Sequence, residues 1–338
     1  MRVVRNGWEW FPDDPSVLEP WAGKMGEEPV AEPLKRNGVR SVFRTEDSAG
    51  RSCFVKLESK RGLINRIRNR FFSKAESEYA SGHLLSACGI PCADYLAWGR
   101  RGGASAVVSR ALDGCVSALE YWYRTARYEE REKQRWLNLF FDFSFRFCKN
   151  NLCHPDFHAG NVLLRPETGE GFMVDAYGIR RKSSLDDQDL RGLLHWLLPL
   201  RMDVPDRELL ERLERRGILR RDAGTFFREL VRLEKVRVEH DWKKRRRKQI
   251  LSGHSKFSHT EGNREIRHTL WFEPSPLPEE SQLTVREMDT DAAETVWLDS
   301  FYRQLLAEKL EEVPLIFERN GARTRLFLLS GNKKSYFF

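Results

Sequence analysis

The chain has 338 residues, 40% of them hydrophobic and 32% charged, which excludes a disordered polymer and suits a soluble globular protein with one large or two ordinary cores. A net charge of +8 and a pI near 9.2 favour an anionic partner, without choosing between nucleotide, nucleic acid, membrane surface and phosphorylated sugar. The longest apolar run, Leu193 to Leu200, is broken by His195 and Pro199 and is too short to span a bilayer.

The N-terminus, Arg5-Asn6-Gly7-Trp8-Glu9-Trp10 followed by Pro12-Asp13-Asp14-Pro15, lacks the apolar stretch of a signal peptide, so any membrane contact is expected to be peripheral. Residues 39–57 read as two strands around a turn at Asp47-Ser48-Ala49-Gly50. A helix from Ser73 to Ala87 is stopped by Gly89 and Pro91, and strands at about 94–98 and 105–110 flank Arg100-Arg101-Gly102-Gly103. Asp113-Gly114 makes a hinge, after which the chain turns helical. The helix at 129–150 carries so many aromatic residues, Phe140, Phe141, Phe143, Phe145 and Phe147 among them, that it reads as apolar almost all round and centrally buried.

Two short strands surround the turn at 166–171, and helices follow at about 186–198, 206–216 and 222–247. Residues 250–285 look loop-like; a helix near 290–310 and a hairpin near 314–330, turning at Asn320-Gly321, end the chain. The six cysteines, Cys53, Cys88, Cys92, Cys115, Cys148 and Cys153, form no C-x-x-C pair and have no zinc-finger spacing with histidine. They read as reduced thiols of a cytosolic protein, several of them buried.

The chemistry concentrates in Cys153-His154-Pro155-Asp156-Phe157-His158-Ala159-Gly160-Asn161, which follows the aromatic helix and leads into an apolar strand. His154, Asp156 and Asn161 have the spacing of a kinase catalytic loop. Phosphoryl transfer needs a carboxylate to orient the acceptor hydroxyl and take its proton, and neutral and charged oxygen ligands to hold Mg²⁺. Asp156 is the expected base, His154 the buttress of its backbone, and Asn161 the first metal ligand. A second strand ends in Met173-Val174-Asp175-Ala176-Tyr177-Gly178, which makes Asp175 the second. Upstream, Lys56 stands between Val55 and Leu57 on a strand and needs an anionic partner. The phosphates of ATP supply one, with a helix carboxylate steadying the ammonium; Glu78 is the choice and Glu76 the competitor. Gly38, in Lys35-Arg36-Asn37-Gly38, is the only glycine where a phosphate loop belongs, since no G-x-G-x-x-G and no Walker A loop occur.

With those residues in view, the chain resembles the Kdo/heptose lipopolysaccharide kinase family, a bacterial branch of the kinase-like superfamily, over about residues 35–260. The resemblance is carried by Glu78-Tyr79-Ala80-Ser81-Gly82-His83-Leu84-Leu85 running to Gly89-Ile90-Pro91, Leu96-Ala97-Trp98-Gly99, Val107 to Leu112, and Asp175-Ala176-Tyr177-Gly178-Ile179-Arg180. Asp189 resembles the family's helix aspartate that ties down the catalytic loop. The resemblance implies an α+β, bilobal protein-kinase-like fold, with a small antiparallel sheet lobe at 1–112, a larger helical lobe at 113–260 and an extension of unassigned role at 261–338. It also implies Mg-ATP as phosphate donor and a lipopolysaccharide or lipid A–core sugar as acceptor. The location would be cytoplasmic, with the inner face of the inner membrane within reach.

Basic residues Lys60, Arg61, Arg66, Arg68, Arg70 and Lys74, and the run 243–248, suit lipid A phosphates or that membrane face. No aromatic-interleaved strand or recognition helix accompanies them, so no nucleic acid is expected. The loop also resembles the H-x-D-x-H-x-x-N of aminoglycoside and choline phosphotransferases. A soluble small-molecule kinase, with an acidic acceptor cleft, is therefore an alternative, and a pseudokinase binding module is another. Protein kinase activity lacks support because no A-P-E segment follows Asp175.

Overall fold

The structure, a computed structural model, describes residues 1–19, 21–26, 31–37, 39–59, 67, 73–201, 203–219, 221–241, 258–261, 264–268, 283–289, 312–320 and 323–330. It is a mixed α/β chain that divides into two compact units, Met1–Trp196 and Leu197–Phe338. The expected breaks after residues 112 and 260 fall inside these units. The first break is bridged by backbone bonds from Ala93 N to the Met173 carbonyl (2.8 Å) and from Met173 N to the Pro91 carbonyl (3.0 Å). The second falls in a strand that belongs to a five-stranded sheet.

The first unit is built on a seven-stranded antiparallel sheet of order β1-β2-β6-β7-β5-β4-β3. Its strands are β1 (Val3–Arg5), β2 (Trp8–Pro12), β3 (Lys35–Asn37), β4 (Arg40–Glu46), β5 (Ser52–Ser59), β6 (Tyr95–Arg101) and β7 (Ala104–Arg110). The hairpin β1–β2 turns through Asn6 (φ 46°) and Gly7 (φ 74°), the left-handed pair that a two-residue hairpin loop requires. Trp8 and Trp10 alternate onto one face and join Val17, Leu18, Trp21, Ala22 and Met25 against Phe43, Cys53, Val55, Leu57, Ala106 and Val108. Each such fully buried large side chain contributes about 1.5–3 kcal/mol. Helix α1 (Lys74–Ala87), capped by the Ser73 side chain, packs on β6 and β7.

The rest of this unit runs through β8 (Val116–Ser117), α2 (Ala118–Tyr121), α3 (Glu130–Lys149), β9 (Leu152–Cys153), β10 (Val162–Leu164), β11 (Gly171–Met173), β12 (Arg180–Arg181) and α4 (Asp187–Leu194). Antiparallel pairs β10–β11 and β9–β12 bring the ends of the 153–161 loop and the 174–180 segment together. Helix α3 is amphipathic and not apolar all round. Trp136, Leu137, Phe140, Phe141, Phe143 and Phe147 are buried, whereas Asn138, Phe145, Arg146 and Lys149 are exposed. Aromatic content alone does not say which face is covered.

In the second unit, α5 (Leu197–Leu200), α6 (Asp206–Arg215) and α7 (Ala223–Asp241) precede an antiparallel sheet of order β13-β14-β16-β17-β15. Strands β16 (Glu312–Asn320) and β17 (Arg323–Ser330) pair across the expected Asn320-Gly321 position. The stretch read as loop holds β13 (Ser258–Glu261), β14 (Arg264–His268) and the start of β15 (Leu283–Asp289). Ser-His-Thr-Glu and Arg-Glu-Ile-Arg-His carry no apolar alternation, so the pairing of β13 with β14 and of β14 with β16 defines these strands where pattern could not. The expected helix at 290–310, Lys60, Arg61, Arg66, Arg68, Arg70 and the 243–248 run lie outside the described residues. Among the described residues no helix is long and apolar enough to cross a membrane.

Candidate active site

On β5, Cys53, Val55 and Leu57 are buried on the tryptophan side, which puts Lys56 on the opposite face. Its ammonium donates to Glu78 Oε1 at 2.6 Å and to the Val174 carbonyl at 2.7 Å. Glu76 is exposed: two residues along a helix is a rotation of roughly 200°, so only one of the pair can face the sheet. Glu78 is 5% exposed. Burial pushes its carboxyl up, the Lys56 charge opposes that shift and the Asp175 charge adds to it.

Tyr95, at the start of β6, ties this pair to the Asp175 segment. Its buried hydroxyl stands 3.4 Å from Glu78 Oε1 and 3.2 Å from the Val174 carbonyl, and accepts from the Ala176 N–H at 3.2 Å. The ring lies against Gly82 of α1, where a Cβ would sit 2.0 Å from Tyr95 Cδ2; only glycine admits it.

The 153–161 loop is held by its own polar side chains. His154 Nδ1 accepts from Asp156 N–H and Nε2 donates to the Asp175 carbonyl, both at 3.0 Å. This is the neutral Nε2–H tautomer, and burial keeps the imidazole below its usual pKa. Asn161 Nδ2 donates to the Asp156 carbonyl at 3.0 Å, while the Asn161 carbonyl accepts from Val174 N–H at 3.0 Å. His158 accepts from Gly160 N–H at 3.0 Å and brings Nε2 to 3.5 Å from Asp156 Oδ2. The Asp156 carboxylate is 77% exposed.

A pocket of about 240 Å³ opens beside the Lys56–Glu78 pair, lined by Arg40, Lys56, Glu58, Lys74, Glu78 and Asp175 among others, with no residue of the 153–161 loop in its lining. Among the described residues no three His, Cys, Asp or Glu side chains converge as a metal cage. Mg²⁺ does not need one, because it usually takes one or two protein oxygens and completes its shell with phosphates and water. The Asp175 carboxylate and Asn161 Oδ1, whose amide nitrogen is already bonded to the loop, fit that role. Gly38 lies outside the described residues.

Asp189 differs from its expected place at the catalytic loop. Its carboxylate accepts from Lys182 Nζ at 2.7 Å and from Asp186 N–H at 3.1 Å, forming the capping box of α4. Sequence reading passed over Tyr95, Glu58 and the pocket position of Lys74. The one signal for Tyr95 is a glycine one helical turn after Glu78, which makes room for a large ring. No known protein family matches the chain, and no curated protein matches it either.

Proposed function

We propose that this chain is an ATP-dependent phosphotransferase of bilobal, protein-kinase-like fold, and that its acceptor is a sugar hydroxyl of the lipopolysaccharide inner core, Kdo or heptose. The observation that carries the reading is one hydrogen-bonded network. It runs from Glu78 through Lys56 to Val174, 118 positions further on, and from the neighbouring Asp175 carbonyl through His154 to Asp156. Separate surface residues have no reason to converge in this order.

In this reading Lys56, steadied by Glu78, meets the phosphates of ATP, and Asp175 and Asn161 hold the Mg²⁺ that neutralises their charge. Asp156 accepts the proton of the acceptor hydroxyl as its oxygen bonds to the γ-phosphorus. The bond from that phosphorus to the β–γ bridging oxygen breaks, and ADP leaves with the electron pair. His154 and Asn161 keep the Asp156 backbone in place, and His158 restrains its carboxylate. The lipopolysaccharide acceptor is supported by the sequence resemblance and by the surplus of basic charge.

Mass spectrometry of lipid A–core from cells with and without the gene tests this directly. The expected result is the loss of one phosphate from a core-sugar fragment; unchanged core removes this acceptor. The His158–Asp156 contact favours one second reading, a small-molecule phosphotransferase of the aminoglycoside or choline type. Turnover of such alcohols by purified protein, with unchanged core, selects it. Folded protein that Mg-ATP does not stabilise against heat is a binding module instead.

A further inference from the structure

A polyphosphate needs more donors than Lys56 can offer here. Lys56 has three ammonium protons, and Glu78 and the Val174 carbonyl take two of them. The sequence has no G-x-G-x-x-G to supply backbone N–H groups in their place. The same pocket nevertheless contains two more cations, on different elements: Arg40 opens β4 and Lys74 opens α1. Both point at one atom. Arg40 Nε is 3.0 Å and Lys74 Nζ 3.7 Å from Glu58 Oε2. Lys74 Nζ also lies 4.5 Å from the centroid of the Tyr177 ring, two residues beyond Asp175, so its charge sits between the sheet and the proposed metal-binding segment.

We propose that Arg40 and Lys74 are a two-cation clamp for the polyphosphate of the nucleotide, and that Glu58 takes the phosphate's place between them until the ligand enters. The proposal rests on the nucleotide reading of this pocket. A carboxylate oxygen and a phosphate oxygen offer the same acceptor chemistry, but the phosphate carries more charge and matches a guanidinium fork as well. Entry of the ligand therefore exchanges one anion for another. Glu58 stays beside the phosphates afterwards and repels them, so it lowers affinity as well as ordering the cations.

Isothermal titration with inorganic tripolyphosphate, ATP and adenosine separates these roles. Lys74→Gln is expected to weaken tripolyphosphate and ATP about tenfold, the scale of a lost hydrogen bond to a charged group, and to leave adenosine unchanged. Arg40→Gln is expected to weaken both about threefold at low salt and less at high salt, because its guanidinium is largely exposed. Glu58→Gln is expected to strengthen both about tenfold, a gain that misfolding cannot produce. ATP binding that depends on Lys56 but ignores all three substitutions overturns the clamp and leaves the nucleotide reading intact. Tripolyphosphate binding that responds to all three, with no further affinity from the adenosine portion of ATP and no phosphoryl transfer, keeps the clamp and overturns the nucleotide reading. Folded parent protein that binds neither anion overturns both.

Discussion

Asp47 and Glu78 are buried to nearly the same degree, 4% and 5% exposed, and each meets a cation, yet their carboxyl groups are driven in opposite directions. Burial alone would raise Asp47. It is outweighed by hydrogen bonds from Arg110 Nη1 (2.8 Å), Arg51 N–H (2.9 Å), the Arg51 guanidinium (2.9 Å) and Ala49 N–H (3.0 Å), which hold the carboxyl well below the usual range. Glu78 has one ammonium, shared with the Val174 carbonyl, and a second carboxylate, Asp175, close enough to raise it further. Donor supply is the difference. The Asp47 carboxylate is saturated with hydrogen bonds, whereas Glu78 has fewer donors and a neighbouring carboxylate, so burial prevails there although Lys56 and Lys74 pull the other way.

The largest expected effect separates chemistry from both buried carboxylates. Asp156→Asn should lower turnover by about 10²–10⁴-fold, the usual cost of a lost positioned acid or base, with ATP affinity nearly unchanged in a binding titration. Asp175→Ala should instead weaken Mg²⁺-dependent ATP binding. Identical binding behaviour of the two variants would show that their roles are not divided in this way.

Stability sharpens the contrast next. Asp47→Asn leaves Arg110 without its buried anion and should cost about 3–5 kcal/mol in urea denaturation. Glu78→Gln should change stability by less than about 1 kcal/mol, because burial already disfavours that charge, yet should weaken Mg-ATP binding about tenfold. Equal destabilisation by the two substitutions would erase the distinction.

The pH dependence carries the same signs. Asp47 has a folded pKa below its reference of 3.8, so its stabilisation is complete above that value and is lost as pH falls through the folded one. Glu78 is raised above 4.5, so the unfolded chain ionises first and stability declines as pH climbs from 4.5 through the raised value. His154, lowered from 6.5, resists protonation in the fold, so stability falls as pH drops below 6.5. Denaturation curves of Asp47→Asn and Glu78→Gln should each lack the corresponding slope.

The most local effect belongs to the residue that joins Glu78 to the Asp175 segment. Tyr95→Phe keeps the ring against Gly82 and removes the hydroxyl, for about 1 kcal/mol in stability. The Ala176 amide, deprived of its acceptor, should exchange with solvent faster while the Asp47 turn stays protected. Unchanged exchange at Ala176 would mean that Tyr95 does not hold the segment.

Local chemistry explains what was legible beforehand. The Asp47-Ser48-Ala49-Gly50 turn forms from its own side chain, since Asp47 Oδ1 accepts from Ala49 and Arg51 N–H. His154, Asp156 and Asn161 likewise bond within their own short loop, apart from the His154 bond to the Asp175 carbonyl and the Val174 N–H bond to the Asn161 carbonyl. Trp8 and Trp10 were different. Their alternation is visible in the chain, but the surface they cover is made by Phe43, Val55 and Val108, far along in sequence. Asp189, which the resemblance would tie to the catalytic loop, instead closes the α4 capping box with Asp186 and meets Lys182, a local arrangement.

The sequence by itself determined the strand–turn–strand at Asp47, the helix after Ser73, the spacing of the 153–161 loop and the placement of Lys56 between apolar neighbours, because each depends on residues within a few positions. Only the tertiary structure decided that Glu78 and not Glu76 meets Lys56, that Tyr95 links both to Ala176, and that Lys74 converges with Arg40 on Glu58. Those outcomes turn on which face of α1 is laid against the sheet. That choice is made by burial and by the fit of Tyr95 into the space left at Gly82, contacts between segments that no local pattern encodes.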